Sequence, residues 1–114
     1  MSILHIHSNI PQDETSFAEF SIKVTELLSK TLNRNSSFIQ IVYCYSQIAL
    51  GNQTGPSTLV TLSSPDISRE QIKSLTPPLS KMLERLIGSP PPTTYIRFEN
   101  MDPTKTAWNG RLWQ

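Results

Sequence analysis

Two histidines, one cysteine and a serine behind Met1 are the residues whose types invite chemistry. His5 and His7 lie two apart in Ser2 to Ser8, which alternates like a strand, so both imidazoles share one face. Two imidazoles on a strand face can take a metal ion, yet no third ligand from Asp, Glu or Cys stands near them in sequence. The pair is therefore expected to pack, or to hydrogen-bond at an interface. Cys44 is the only cysteine, which excludes an internal disulfide and a metal site built from several cysteines. Within an apolar run it reads as an inert core thiol. Ser2, if Met1 is removed, would offer a primary amine with an ordinary pKa of about 7.7–8.0, a usable base near neutrality. No Ser-His-Asp spacing and no phosphate-binding loop is persuasive.

Composition narrows the classes. The chain has 114 residues, so one domain with a modest core is expected over 1–114. The formal net charge is +1 and the basic residues form no run, which argues against a nucleic-acid partner or an anionic membrane surface. The start lacks a basic segment followed by a long apolar one, so no signal peptide is expected. No stretch reaches about 18 consecutive apolar residues, so no membrane span is expected and the default compartment is cytoplasmic.

The elements that must position these residues alternate in order. After the first strand, Asn9-Ile10-Pro11 breaks the chain. Ser16-Phe17-Ala18-Glu19 matches a capping box, and Phe17, Phe20, Val24, Leu27 and Leu28 follow at helical spacing. Asn33-Arg34-Asn35 closes that helix. Phe38 to Tyr45 reads as a strand apolar on both faces, Ser46 to Pro56 as a loop and Ser57 to Ser63 as a strand. Ser68 to Gln71 matches a second capping box, and Ile72, Leu75, Leu79, Met82, Leu83 and Leu86 keep helical spacing. Thr76-Pro77-Pro78 predicts a kink or a restart in that helix, with Thr76 as a cap. Gly88 ends it, Ser89 to Pro92 is extended, Tyr95 to Glu99 is a strand, and Thr104 to Gln114 forms a turn and a last short strand.

The pattern is β-α-β twice: an α+β fold with a four-stranded mixed sheet and two helices. Two right-handed crossovers place both helices on one face. The other face is then bare, while Phe38 to Tyr45 calls for burial on both sides, and a symmetric oligomer resolves the conflict.

Several segments resemble the macrophage migration inhibitory factor family of the tautomerase superfamily. They are Ser8-Asn9-Ile10-Pro11, Leu50-Gly51 with Pro56, Glu84-Arg85-Leu86 with Ser89-Pro90, and Tyr95-Ile96 with Met101 and Trp108-Asn109. The resemblance spans essentially the whole chain. It implies a homotrimer whose sheets enclose a barrel, with pockets between subunits. It implies cofactor-independent proton transfer next to a carbonyl, on phenylpyruvate-like keto acids, with an N-terminal proline as base. Here Ser2 holds that position; if Met1 stays, the terminus is one residue longer and intrudes on the pocket.

The resemblance carries over further residues, each beside a plainer reading. Arg34 aligns with the pocket lysine and could pair with a small carboxylate ligand; equally, it is a cation favoured at a helix C-terminus. Tyr95 aligns with a pocket tyrosine supplied by the neighbouring subunit, or is an interface aromatic. Arg97 stands where the family has a neutral amide and otherwise reads as a solvated strand charge. Pro65 and Thr106 align with apolar walls, and Trp108 with a tryptophan at the rim. The family's redox pair is absent, since Ser57 and Val60 occupy those positions. Two functions follow: a trimeric binding protein with weakened or lost catalysis, or an active tautomerase that uses the Ser2 amine or another base.

Overall fold

Four seven-residue strands carry the architecture: β1 (Ser2–Ser8), β2 (Ile39–Tyr45), β3 (Thr58–Ser64) and β4 (Thr94–Asn100). Two helices connect them, α1 (Glu14–Leu32) and α2 (Arg69–Met82). The structure is a computed structural model that describes residues 1–114. The sheet order is β2-β1-β3-β4. β1 runs parallel to β2, β3 runs parallel to β4, and the central pair β1–β3 is antiparallel. Each parallel pair is thus one β-α-β unit, and the two units meet back to back.

The period-2 alternation of the central strands decides which side is core. Leu4 and Ile6 of β1, with Val60 and Leu62 of β3, are fully buried beneath the helices. Phe20, Val24, Leu28 and Leu32 of α1 and Leu75 and Leu79 of α2 complete the layer. The opposite face carries rows in register: Val42, His5, Thr61 and Arg97, then Cys44, His7, Leu59 and Tyr95. β2 and β4 are edge strands, and the residues of β2 are half-buried or exposed.

The helix ends differ from expectation in instructive ways. α1 begins two residues before Ser16: Asp13 is the cap, and its Oδ1 accepts the Ser16 backbone N–H at 2.7 Å. Asp13 can do so because it follows Pro11-Gln12 in extended backbone, the conformation a cap requires. At α2 the expected capping box forms, with Ser68 Oγ accepting from the Gln71 N–H and Gln71 Oε1 accepting from the Ser68 N–H. The helix does not restart at Pro77-Pro78: α2 runs on through both prolines. Two features permit this. The prolines leave the carbonyls of Lys73 and Ser74 without helical donors, but both residues are exposed, so water can serve them. Leu75 and Leu79, both fully buried, hold the helix axis against the sheet. Thr76 is not a cap; its hydroxyl donates to the Ile72 carbonyl at 2.7 Å. The chain then widens into a π turn over Leu83–Ile87, which Gly88 ends in the left-handed conformation.

Two more segments depart from the sequence reading. Phe38 lies outside β2, in a 3-10 turn over Ser36–Phe38 capped by Asn35. Pro91–Thr93 forms a 3-10 turn rather than continuing extended. The tail is a small hairpin, β5 (Ala107–Trp108) against β6 (Arg111–Leu112). Asn109 and Gly110 link them with φ of 53° and 75°, the positive pair that a two-residue hairpin turn demands.

The core should be sensitive at Leu79. Leu79→Ala is expected to cost about 2–5 kcal/mol, because the removed methyls leave a cavity beneath α2. Ile22→Ala, on the exposed side of α1, should change stability by no more than about 0.5 kcal/mol. Urea unfolding of both variants checks this, and equal losses would mean that the helix–sheet layer is not the stabilising core.

Candidate functional site

The start of β1 opens into a cleft. Its volume is about 320 Å³, and its lining includes Met1, Ser2, Phe38, Thr106, Trp108 and Trp113. Three aromatic rings build the wall in edge-to-face contact. Phe38 lies 5.2 Å from both Trp108 and Trp113, and the two indoles are 5.6 Å apart. The hairpin is folded back by a backbone bond from Trp113 N–H to the Thr106 carbonyl. The Thr106 hydroxyl is occupied too, since it donates to the Asp102 carbonyl at 2.9 Å.

The floor is polar and closed. Ser2 is fully buried, and its Oγ bonds Ser64 Oγ at 2.8 Å across the antiparallel pair. Arg34 follows Asn33, whose left-handed backbone ends α1 and turns the chain toward the sheet. Its Nε donates to Ser64 Oγ at 3.4 Å, and an Nη donates to the Pro65 carbonyl. Arg34 therefore does more than neutralise a helix dipole: it ties the end of β3 beside the N-terminus. The free amine here belongs to Met1. Burial pushes that amine below its ordinary range, and the Arg34 guanidinium, which repels an ammonium, lowers it further.

Among the residues singled out from sequence, Ser2, Thr106 and Trp108 line this cleft, and Arg34 and Pro65 adjoin its floor through Ser64. Tyr95 and Arg97 do not join them within the chain. They sit on the open face of β4, at the sheet edge, and Tyr95 is 59% exposed. Ser64 pairs with Asn100, five residues along β4 from Tyr95, so Tyr95 lies toward the opposite end of the sheet. The sequence reading missed Phe38 and Trp113 as wall residues, while Met1 enters the cleft as expected if it is retained. The available signal was two tryptophans spaced across an Asn-Gly turn, which places both on one small hairpin.

A second cluster corrects the histidine reading. A third potential donor does stand beside His5 and His7, and it is Cys44. His7 pairs with Cys44 in the parallel ladder, and Cys44 Sγ lies 3.6 Å from His5 Nε2. The thiol is half-buried on the open face, not in the core. Sequence distance hid the contact, because 39 residues separate His5 from Cys44.

Paired β-α-β units, both helices on one face and a cleft at the start of the first strand define a tautomerase-fold protein of the α+β class. The chain belongs to the macrophage migration inhibitory factor family, whose sequence profile, Macrophage migration inhibitory factor (MIF), matches residues 1–113. It is 30% identical over 89 residues to macrophage migration inhibitory factor of Xenopus tropicalis, covering 76% of this chain and 77% of that one. Two solved structures share the fold. Macrophage migration inhibitory factor of Trichinella spiralis superposes with a TM-score of 0.85 at 24% identity, over 96% of this chain and 98% of its own. The homologue from Prochlorococcus marinus gives 0.90 at 17% identity, over 98% and 99%.

The electrostatics of the cleft can be measured on protein that carries Met1. Arg34→Gln removes a positive neighbour, which favours the ammonium, so the Met1 amine should titrate at higher pH than in the parent. Part of the depression should remain, because burial is its larger cause. The pH dependence of α-amine acylation, followed by mass spectrometry, reads the shift. An unchanged titration would mean that the guanidinium does not act on the amine.

Proposed function

We propose that this chain assembles as a homotrimer whose clefts bind a small carboxylate ligand, and that its phenylpyruvate-type keto–enol tautomerase activity is weakened or lost. One observation carries the reading: Ser2, at the position of the family's proline base, is fully buried with its hydroxyl bonded to Ser64. Serine offers no secondary amine, and its hydroxyl is engaged within the sheet. A rigid secondary amine in an apolar pocket is what proline supplies, and the primary amine of this terminus lacks that rigidity.

The assembly has its own support. β2 and β4 are edge strands, and an unpaired edge offers N–H and C=O groups to a neighbouring chain. Tyr95, Leu112 and Trp108 are large apolar groups left exposed in the isolated chain. In the proposed trimer, Tyr95 and Arg97 reach the cleft of the adjacent subunit. Arg34 uses two of its five N–H donors within the chain, which leaves others for a ligand carboxylate. Proton transfer of this type needs a base and hydrogen-bond donors but no cofactor. No helix is long and apolar enough to cross a membrane, and the proposed compartment is the cytoplasm. Residues 1–114 act as one domain in this reading.

A specific observation favours a second reading. The Met1 amine is held below its ordinary pKa, so a primary amine at this terminus could serve as a base and sustain an active tautomerase on α-keto acids. After removal of Met1, the Ser2 amine would take that role.

The readings separate by experiment. Light scattering should give three times the chain mass at micromolar concentration, and a stable monomer would overturn the assembly. The native N-terminus is read by intact mass beside a phenylpyruvate tautomerase assay. Ser2→Pro, with Met1 removed, should raise activity by about 10²–10⁴-fold, the usual worth of a positioned general base. Proline at the first residue of a strand is tolerated, and Ser64 keeps its Arg34 donor. A trimeric, processed variant with no gain would mean that the rest of the cleft is no longer catalytic. Strong activity in the parent would establish the second reading.

A further inference from the structure

The His5, His7 and Cys44 cluster is used by neither the fold nor the cleft. One ligand atom from each residue lies within 4.8 Å of the other two. The imidazole rings of His5 and His7 are 4.4 Å apart between centroids. Cys44 Sγ and His5 Nε2 are 3.6 Å apart. A tetrahedral zinc ion, with Zn–S of about 2.3 Å and Zn–N of about 2.0–2.1 Å, separates its sulfur and nitrogen ligands by about 3.6 Å. The Cys44–His5 pair stands at the spacing that such an ion needs.

The supporting groups point the same way. All three residues sit on adjacent strands in a continuous ladder, so their backbones are set by sheet hydrogen bonds and not by loop geometry. Ser46, directly after β2, completes the second layer. Its Oγ lies 3.1 Å from His7 Nδ1 and 3.5 Å from the Cys44 carbonyl. If the Ser46 hydroxyl donates to that carbonyl, it accepts from His7 Nδ1–H. That bond leaves the His7 Nε2 lone pair to bind a cation, which is how metal-bound histidines are commonly oriented. The immediate neighbours of the cluster in the two rows are Val42, Thr61 and Leu59, none of them charged; Arg97 is the next residue beyond Thr61.

We propose that His5, His7 and Cys44 form a binding site for a zinc-class transition-metal ion on the open face of the sheet. Two imidazoles and one thiolate select borderline or soft ions over magnesium or calcium. Binding forms one metal–sulfur and two metal–nitrogen bonds, and the thiol proton passes to solvent. Three protein ligands leave the fourth position to water or an exogenous donor, so the site is of the open type and not a closed structural one. It lies apart from the cleft, and its presence is independent of tautomerase chemistry.

The test uses the full chain, stripped with chelator and dialysed, then titrated with Zn²⁺ and separately with Co²⁺. One ion per chain is expected. Co²⁺ should give the intense visible bands of tetrahedral coordination and a near-ultraviolet thiolate charge-transfer band. Cys44→Ser and His7→Gln should each weaken Zn²⁺ binding by about 100-fold or more, beyond the usual 10- to 100-fold effect of an outer-layer group. Ser46→Ala should fall within that 10- to 100-fold range with the charge-transfer band retained. Circular dichroism of each variant establishes that it is folded. If Cys44→Ser does not fold, the charge-transfer band of the parent decides alone. An octahedral Co²⁺ spectrum, a missing thiolate band, or unchanged affinity in folded Cys44→Ser would overturn the site and assign any binding to adventitious donors such as the N-terminal amine.

Discussion

The register of β1 between β2 and β3 is the constraint on which the rest of the molecule depends. Side chains alternate along a strand, so a slip of one residue would exchange the two faces. In the observed register Leu4 and Ile6 lie under the helices, and His5 and His7 face outward. The same register sets Ser2 against Ser64 and His7 beside Cys44. Core, cleft floor and histidine cluster are therefore three readings of one pairing. The serines at the ends of β1 make that pairing specific. Ser2 bonds Ser64 at one end, and Ser8 bonds Thr58 at the other, 2.9 Å apart and buried. Buried hydroxyls left unpaired would each cost about 1–3 kcal/mol, so a slipped register is penalised at both ends.

Burial of only one sheet face gives the fold its direction. The helices saturate one side with aliphatic side chains, and the other keeps a mixture of Val42, Cys44, Thr61, Arg97 and the histidines. A face of this kind is neither a core nor an ordinary charged surface. It can accommodate polar chemistry on a rigid frame, because strand positions are held more firmly than loop positions. The aromatic cleft depends on the same frame through a different element. The small hairpin places Trp108 and Trp113 against Phe38, and Phe38 is available because it stands in the turn before β2 and not within it.

The region around Ser2 combines groups of different character. Aromatic walls, a cation and a half-buried amine surround it. Ser2 directs its hydroxyl inward to the sheet, toward Ser64. A shared fold does not by itself carry catalysis.

The order of strands and helices was legible in the sequence, because it is local. Period-2 runs, helical stripes and the Ser68 cap depend on residues within one or two turns of each other. The placement of both helices on one face was also legible, since crossover handedness follows from chain chirality. The resemblance to the family lay in short segments and was readable in the same way. The cap at Asp13 and the unbroken helix through Pro77 and Pro78 were not. The sequence pattern pointed to Ser16 as the cap, and the path after Pro11 put Asp13 there instead. The prolines could be carried because Leu75 and Leu79 are held by the sheet, which no local pattern reports. The meeting of Cys44 with His5 and His7, and of Arg34 with Ser64, was decided by tertiary structure alone. Each contact joins residues 30 or more apart in the chain, and strand pairing, a non-local choice made by the whole sheet, brings them within bonding distance.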